Sequence, residues 1–147
     1  MDAIIMFGWL GVFAPVAFGA IGSTMGCTVA GQAACGAMLD TETGHGRFVG
    51  LSALPSTQVV LGIVVMFTLN RTITLENAPG IFAIGTLTGL ALLFSAWFQG
   101  KSVASAIYAA KNKPNIMGLA IAPAAIVEGF SVFAFVFALV ISGDIPK

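Results

Sequence analysis

Residues 117–142 read MGLAIAPAAIVEGFSVFAFVFALVIS, an apolar run in which Glu128 is the one ionisable side chain. A bilayer core is spanned by about 20 apolar residues in a helix, whose backbone groups satisfy one another. A carboxylate at that depth costs about 2.5 kcal/mol or more unless it is protonated, paired or ligated. Such a group needs a reason, and the default reasons are an ion site or a proton site. The plainer reading is a protonated Glu that hydrogen-bonds a neighbouring helix.

The rest of the chain has the same character. It is 58% hydrophobic and 8% charged, against roughly 25% charged residues in soluble domains. Its 147 residues make one small membrane domain. Six basic side chains balance six acidic ones, so there is no basic surface for nucleic acid. The N-terminus carries Asp2 instead of a basic region, and the first apolar run is too long for a signal peptide. Cys27 and Cys35 match no metal-binding spacing and read as small apolar packing residues. His45, between Gly44 and Gly46, reads as a solvent-facing turn residue.

Charges and turn residues divide the chain into four apolar segments, 3–39, 48–70, 81–110 and 117–142. The breaks hold Asp40, Glu42, His45 and Arg47, then Arg71, Glu76 and the Ala78-Pro79-Gly80 turn, then Lys111, Lys113 and Pro114. Short loops between such runs specify an all-α membrane protein with four transmembrane helices. The first and third segments exceed a bilayer's needs: either Pro15 breaks the first, or the helix projects beyond lipid, with Lys101 snorkelling from the third. Arg47, Lys101, Lys111 and Lys113 fall on one side, and Arg71 and Lys147 on the other. The positive-inside bias then puts the 1–2 and 3–4 loops in the cytoplasm and both termini outside. Trp9 and Tyr108 read as interface aromatics.

The second half copies the first. Gly50-Leu51-Ser52-Ala53-Leu54-Pro55 aligns with Gly118-Leu119-Ala120-Ile121-Ala122-Pro123, and five residues after each proline stand Val60 and Glu128. The expected units are two tandem hairpins, residues 3–70 and 78–143. Two spans per unit return the chain to its starting side, so the repeats run parallel. Gly22, Gly26, Ala30 and Ala34 form a small-residue stripe, repeated less cleanly by Gly85, Gly89, Ala96, Gly100 and Ala104. It suits either a crowded inner circle of helices or ordinary packing in a lone bundle.

Few other polar groups lie near mid-span. Thr57 and Gln58 in the second segment, Gln99 in the third and Glu128 in the fourth can meet at one depth. An unpaired amide or hydroxyl in hydrocarbon is costly, so these groups must find each other or an ion. Oxygen donors suit a hard cation, and one carboxylate neutralises a monovalent one. Pro55 and Pro123 lack an N–H and are expected to free the carbonyls of Leu51 and Leu119, or simply to kink their helices.

Leu54-Pro55-Ser56-Thr57-Gln58, Phe98-Gln99-Gly100-Lys101 and Ala125-Ile126-Val127-Glu128 resemble the rotor-ring proteolipid of V-type ATPases, designated K or c, in its duplicated four-helix bacterial form. The resemblance implies a ring of identical copies in the cell membrane, turning against a stator subunit that supplies an arginine and coupled to central-stalk subunits. It implies an ion carrier rather than an enzyme, and Gly100-Lys101-Ser102 lacks the upstream glycine of a phosphate loop. For sodium-pumping members it implies a Na+ site made by the Leu54 carbonyl, Thr57, Gln58, Gln99 and Glu128. Where those members carry a tyrosine that steadies the carboxylate, this chain has Leu61. Two alternatives stand beside the Na+ ring: the same ring carrying protons, for which Glu128 alone suffices, and a small four-helix secondary transporter.

Overall fold

The computed structural model describes residues 3–146; the charged side chains of Asp2 and Lys147 lie outside the described residues. The described residues form six α-helices: α1 (Ala3–Leu39), α2 (His45–Ser52), α3 (Thr57–Leu69), α4 (Ala78–Asn112), α5 (Met117–Ala120) and α6 (Ala122–Ser142). Short 3-10 turns at Leu54–Ser56 and Pro114–Ile116 join α2 to α3 and lead into α5. Four spans result, because α2 with α3 and α5 with α6 each cross as one broken helix.

Pro15 does not break the first span, which runs for 37 residues without interruption, a rod of about 55 Å that outreaches a hydrocarbon core of about 30 Å. The missing Pro15 N–H frees the Gly11 carbonyl. That oxygen lies where a side chain on Gly85 would begin, so a Cα–H contact across the helix pair takes up the bond that the proline denies. The helix runs on through Pro15 with the freed carbonyl facing α4.

Two other proline readings need correction. Ala78 and Pro79 are not a turn but the first residues of α4, where a proline costs no hydrogen bond. Pro55 does more than kink its span: α2 ends at Ser52, the Ala53 N–H bonds the Gly50 carbonyl, and Leu54–Ser56 winds as a tighter turn before α3. The turn leaves the Leu54 carbonyl, rather than that of Leu51, beside the Thr57 hydroxyl. His45 likewise opens α2 behind Gly44, whose φ of 81° a side chain would resist. Its ring stays exposed, with Nε2 at 2.6 Å from the Thr41 carbonyl.

The small-residue stripe is where α1 and α4 meet. Side chains added at Gly22, Gly26 or Gly100 would collide with the facing backbone of Leu93, Ala96 and Gly26. Gly19 sits instead against the backbone of Gln58 and Val59 on α3, and Gly62 of α3 against Pro15. Thus α1 holds both α3 and α4 by backbone approach, and α6 completes the bundle against α3 and α4. At one end Phe48, Val103, Ile107 and Ala124 form a core cluster. At the other, Val12, Val65, Leu69, Ile81, Ala138 and Ile145 form a second. Arg71 closes that second end, donating to the carbonyls of Thr68, Ser142 and Ile145. At the first end Lys111 pairs with Asp40. Lys101 turns back along α4, its Nζ 4.4 Å from the Trp97 ring centre and 5.3 Å from that of Phe98. Cys27 and Cys35 are unbonded, Cys27 half-buried and Cys35 exposed.

Replacing Gly85 by Val is expected to push α1 from α4 and cost about 1–3 kcal/mol of stability. Thermal unfolding of the purified protein in mild detergent measures it, and an unchanged midpoint contradicts the close packing.

Candidate ion-binding site

The break in the second span builds the site. Because the 3-10 turn ends at Ser56, Thr57 begins α3 with its hydroxyl 3.2 Å from the Leu54 carbonyl. Gln58 follows and points inward, fully buried. Glu128 comes from the second turn of α6, whose start is set by the matching break at Ile121 before Pro123. Gln99 comes from the middle of α4, also fully buried. The five groups expected from the sequence are therefore neighbours, although residues 57 and 128 are 71 positions apart.

Thr57 Oγ1 lies 2.7 Å from Glu128 Oε1, 3.1 Å from Gln58 Oε1 and 3.2 Å from the Leu54 oxygen. Behind it runs a chain of amides. Gln58 Nε2 donates to Gln99 Oε1 at 2.9 Å, and Gln99 Nε2 donates to Glu128 Oε2 at 3.1 Å. Both carboxylate oxygens are thereby held, one from α3 and one from α4, with no hydroxyl at position 61. The amide of Gln99 presents its nitrogen to the carboxylate, while its oxygen serves Gln58. The inner wall, Gln58 and Gln99, is sealed, and the outer wall, Thr57 and Glu128, is half-exposed on the side away from α1.

Sequence reading overlooked two serines at the same depth. Ser95 Oγ donates to the Val127 carbonyl at 3.1 Å, and Ser131 Oγ to the Glu128 carbonyl at 2.7 Å. Helical spacing could have found them: Ser95 is one turn before Gln99 and Ser131 one turn after Glu128, so each shares a face with a site residue. Ser23, on α1, is buried, and its hydroxyl has no hydrogen-bond partner among the described residues.

A sequence profile of the family described as the ATP synthase C subunit matches this chain twice, over residues 10–69 and 82–141. The chain belongs to that ATP synthase proteolipid family. It is a duplicated membrane proteolipid, a non-catalytic rotor-ring component of the V/A-type ATPases. The two matches fall one on each half of the internal repeat, within residues 3–70 and 78–143. It is 28% identical over 141 residues to the V-type sodium ATPase subunit K of Enterococcus hirae, covering 93% of this chain and 90% of that one. It is 29% identical over 137 residues to the A-type ATP synthase subunit K of Methanocaldococcus jannaschii, covering 90% of this chain and 62% of that one.

The amide chain of the proteolipid makes a coupled prediction. Gln99→Leu removes a donor to Glu128 and orphans the buried Gln58 amide, at a cost of about 1–3 kcal/mol. Changing Gln58 and Gln99 together to Leu is expected to cost less than the sum of the single changes, since no amide is left unpaired. A double-mutant cycle of thermal unfolding in detergent measures this, and strict additivity refutes the coupling.

Proposed function

We propose that this proteolipid carries Na+ across the membrane, binding it between Leu54, Thr57, Gln58, Gln99 and Glu128 and releasing it as the ring turns. One observation carries the reading. Three acceptor oxygens stand 2.7–3.2 Å from Thr57 Oγ1, whose single hydrogen can satisfy one of them. With Glu128 ionised, the cluster is short of positive charge where lone pairs converge from α3, α6 and the turn between α2 and α3. A small monovalent cation supplies the missing charge, and oxygen donors of this kind suit a hard ion. The name of the Enterococcus hirae relative, a sodium ATPase subunit, supports the same ion. A proton alone would need Glu128 but neither the Leu54 carbonyl nor the Gln58 oxygen beside it.

Loading neutralises Glu128, so that the half-exposed carboxylate can face lipid; the unloaded anion must stay close to water or a cation. A stator subunit presenting an arginine would meet that need on the open side of the site, and central-stalk subunits would take up the rotation. The end bearing Arg47, Lys111 and Lys113 is the cytoplasmic one in this reading, which leaves both termini outside. Residues 3–70 and 78–143 are its two hairpins, and the ion site draws Leu54, Thr57 and Gln58 from the first and Gln99 and Glu128 from the second.

Carbodiimide labelling of Glu128 at fixed pH tests the proposal. Sodium is expected to slow labelling of the parent ring, and Thr57→Val to raise the sodium needed by about tenfold to a hundredfold. Labelling indifferent to sodium refutes Na+ and leaves the proton. In the assembled complex Glu128→Gln is expected to abolish ion-coupled rotation, read as sodium-dependent ATP hydrolysis; undiminished coupling removes Glu128 from the role altogether.

A further inference from the structure

The turn of α6 that carries Glu128 is weakly packed. Ile126 is 64% and Phe130 66% exposed in the single chain, and a side chain added at Gly129 would meet nothing within 4 Å. A glycine inside a helix also loosens it, since no other residue gives up more backbone freedom on folding. The seam that seats α6 is thin, with Ala124, Ser131, Ala138 and Ser142 as its buried residues. Yet the carboxylate must return to the same donors each time an ion is exchanged.

Two hydrogen bonds join α4 to α6 among the described residues, from Gln99 to the carboxylate and from Ser95 to the Val127 carbonyl. The first breaks whenever Glu128 swings out. The second ends on backbone, one residue before Glu128, and need not break. Ser95 is itself 8% exposed and Ser131 1%. Ser131 adds a bond to the next carbonyl, that of Glu128, so the two peptide groups flanking the Glu128 Cα each receive a hydroxyl.

We propose that Ser95 is a positioning residue for the ion-carrying carboxylate: it pins the α6 backbone to α4 while the side chain of Glu128 moves. The proposal rests on Glu128 as the ion-carrying group. It gives this chain a backbone anchor where Leu61 offers the carboxylate no hydroxyl. It also specifies the motion of ion exchange, rotation about the side-chain torsions of Glu128 with α6 held in register, rather than a turning of α6 as a body.

The test compares parent, Ser95→Ala, Ser95→Cys and Ser95→Thr rings in mild detergent, each checked for ring assembly by particle size. Two quantities are read at fixed pH: the rate at which a carbodiimide labels Glu128 in sodium-free buffer, and the sodium concentration that halves that rate. Loss of one hydrogen bond is expected to raise both by about threefold to tenfold in Ser95→Ala. Ser95→Cys keeps the volume and weakens the donor, so it is expected to follow alanine and serves should the alanine ring not assemble. Ser95→Thr keeps the hydroxyl and is expected to restore parent values. Parent-like behaviour of the alanine and cysteine rings overturns the anchor. So does equal impairment in the threonine ring, which would mean that side-chain volume and not the hydrogen bond matters. A parent ring that sodium does not protect refutes the Na+ reading alone, because the sodium-free labelling rates still decide the anchor.

Discussion

A carboxylate set among apolar helices has to be met by donors that the lipid cannot supply. Here that requirement joins three of the four spans. Thr57 donates to one oxygen of Glu128 from α3, Gln99 to the other from α4, and Gln58 holds Gln99. Each amide is fully buried, so each depends on the next for partners that water would otherwise provide. The same bonds that form the site therefore fix the register of α3, α4 and α6. A slip of one helix would strand at least one buried amide, at a cost of about 1–3 kcal/mol.

The first helix contributes no group to the polar cluster but sets where its members stand. Gly26 is pressed between Pro55 and the Ala96 carbonyl, and Gly19 lies on the backbone of Gln58. One face of α1 thus holds the turn that aims Leu54 and Thr57 and the stretch of α4 that aims Gln99. A Cβ at Gly26 would collide with the Ala96 carbonyl and one at Gly19 would begin 3.1 Å from that of Gln58, so either would press the neighbouring span outward and disturb the short oxygen contacts of the cluster. Glycine is needed here for close backbone approach, not for an unusual φ.

Much of this was legible in the residues. The four spans, the tandem repeat and the meeting of Thr57, Gln58, Gln99 and Glu128 at one depth follow from charge spacing, proline alignment and the cost of polar atoms in lipid, while the Leu54 carbonyl came from the family resemblance alone. What the residues did not yield is local backbone geometry. Pro15 left a break and a projecting helix both open, because its lost hydrogen bond is visible in sequence while the Gly85 that receives the freed carbonyl lies on another helix. Pro79 looked like a turn because its place at a helix start, where it does no harm, depends on how far α4 extends. The direction of the Gln99 amide was equally hidden, since it is decided by competition with Gln58 for partners. Ser95 and Ser131 were passed over because serine in an apolar helix commonly bonds its own preceding turn. Ser131 does so, whereas Ser95 reaches across to α6.

The repeat also shows why two hairpins make one site. With Pro55 set on Pro123, the positions of Leu54, Thr57, Gln58 and Glu128 are taken in the other copy by Ala122, Ala125, Ile126 and Val60. None of these counterparts offers a side-chain oxygen or a charge. The other copy therefore lacks hydroxyl, amide and carboxylate together, as their interdependence requires: without the charge, a buried hydroxyl or amide is a cost with nothing to hold. On the proposed function, every second hairpin in a ring of such chains carries no ion. A full turn then moves half as many ions as a ring of the same hairpin number with a carboxylate on each. Each ion crossing 100 mV involves about 2.3 kcal/mol, so the energy of one ATP, spread over fewer ions, can drive each of them against a steeper gradient.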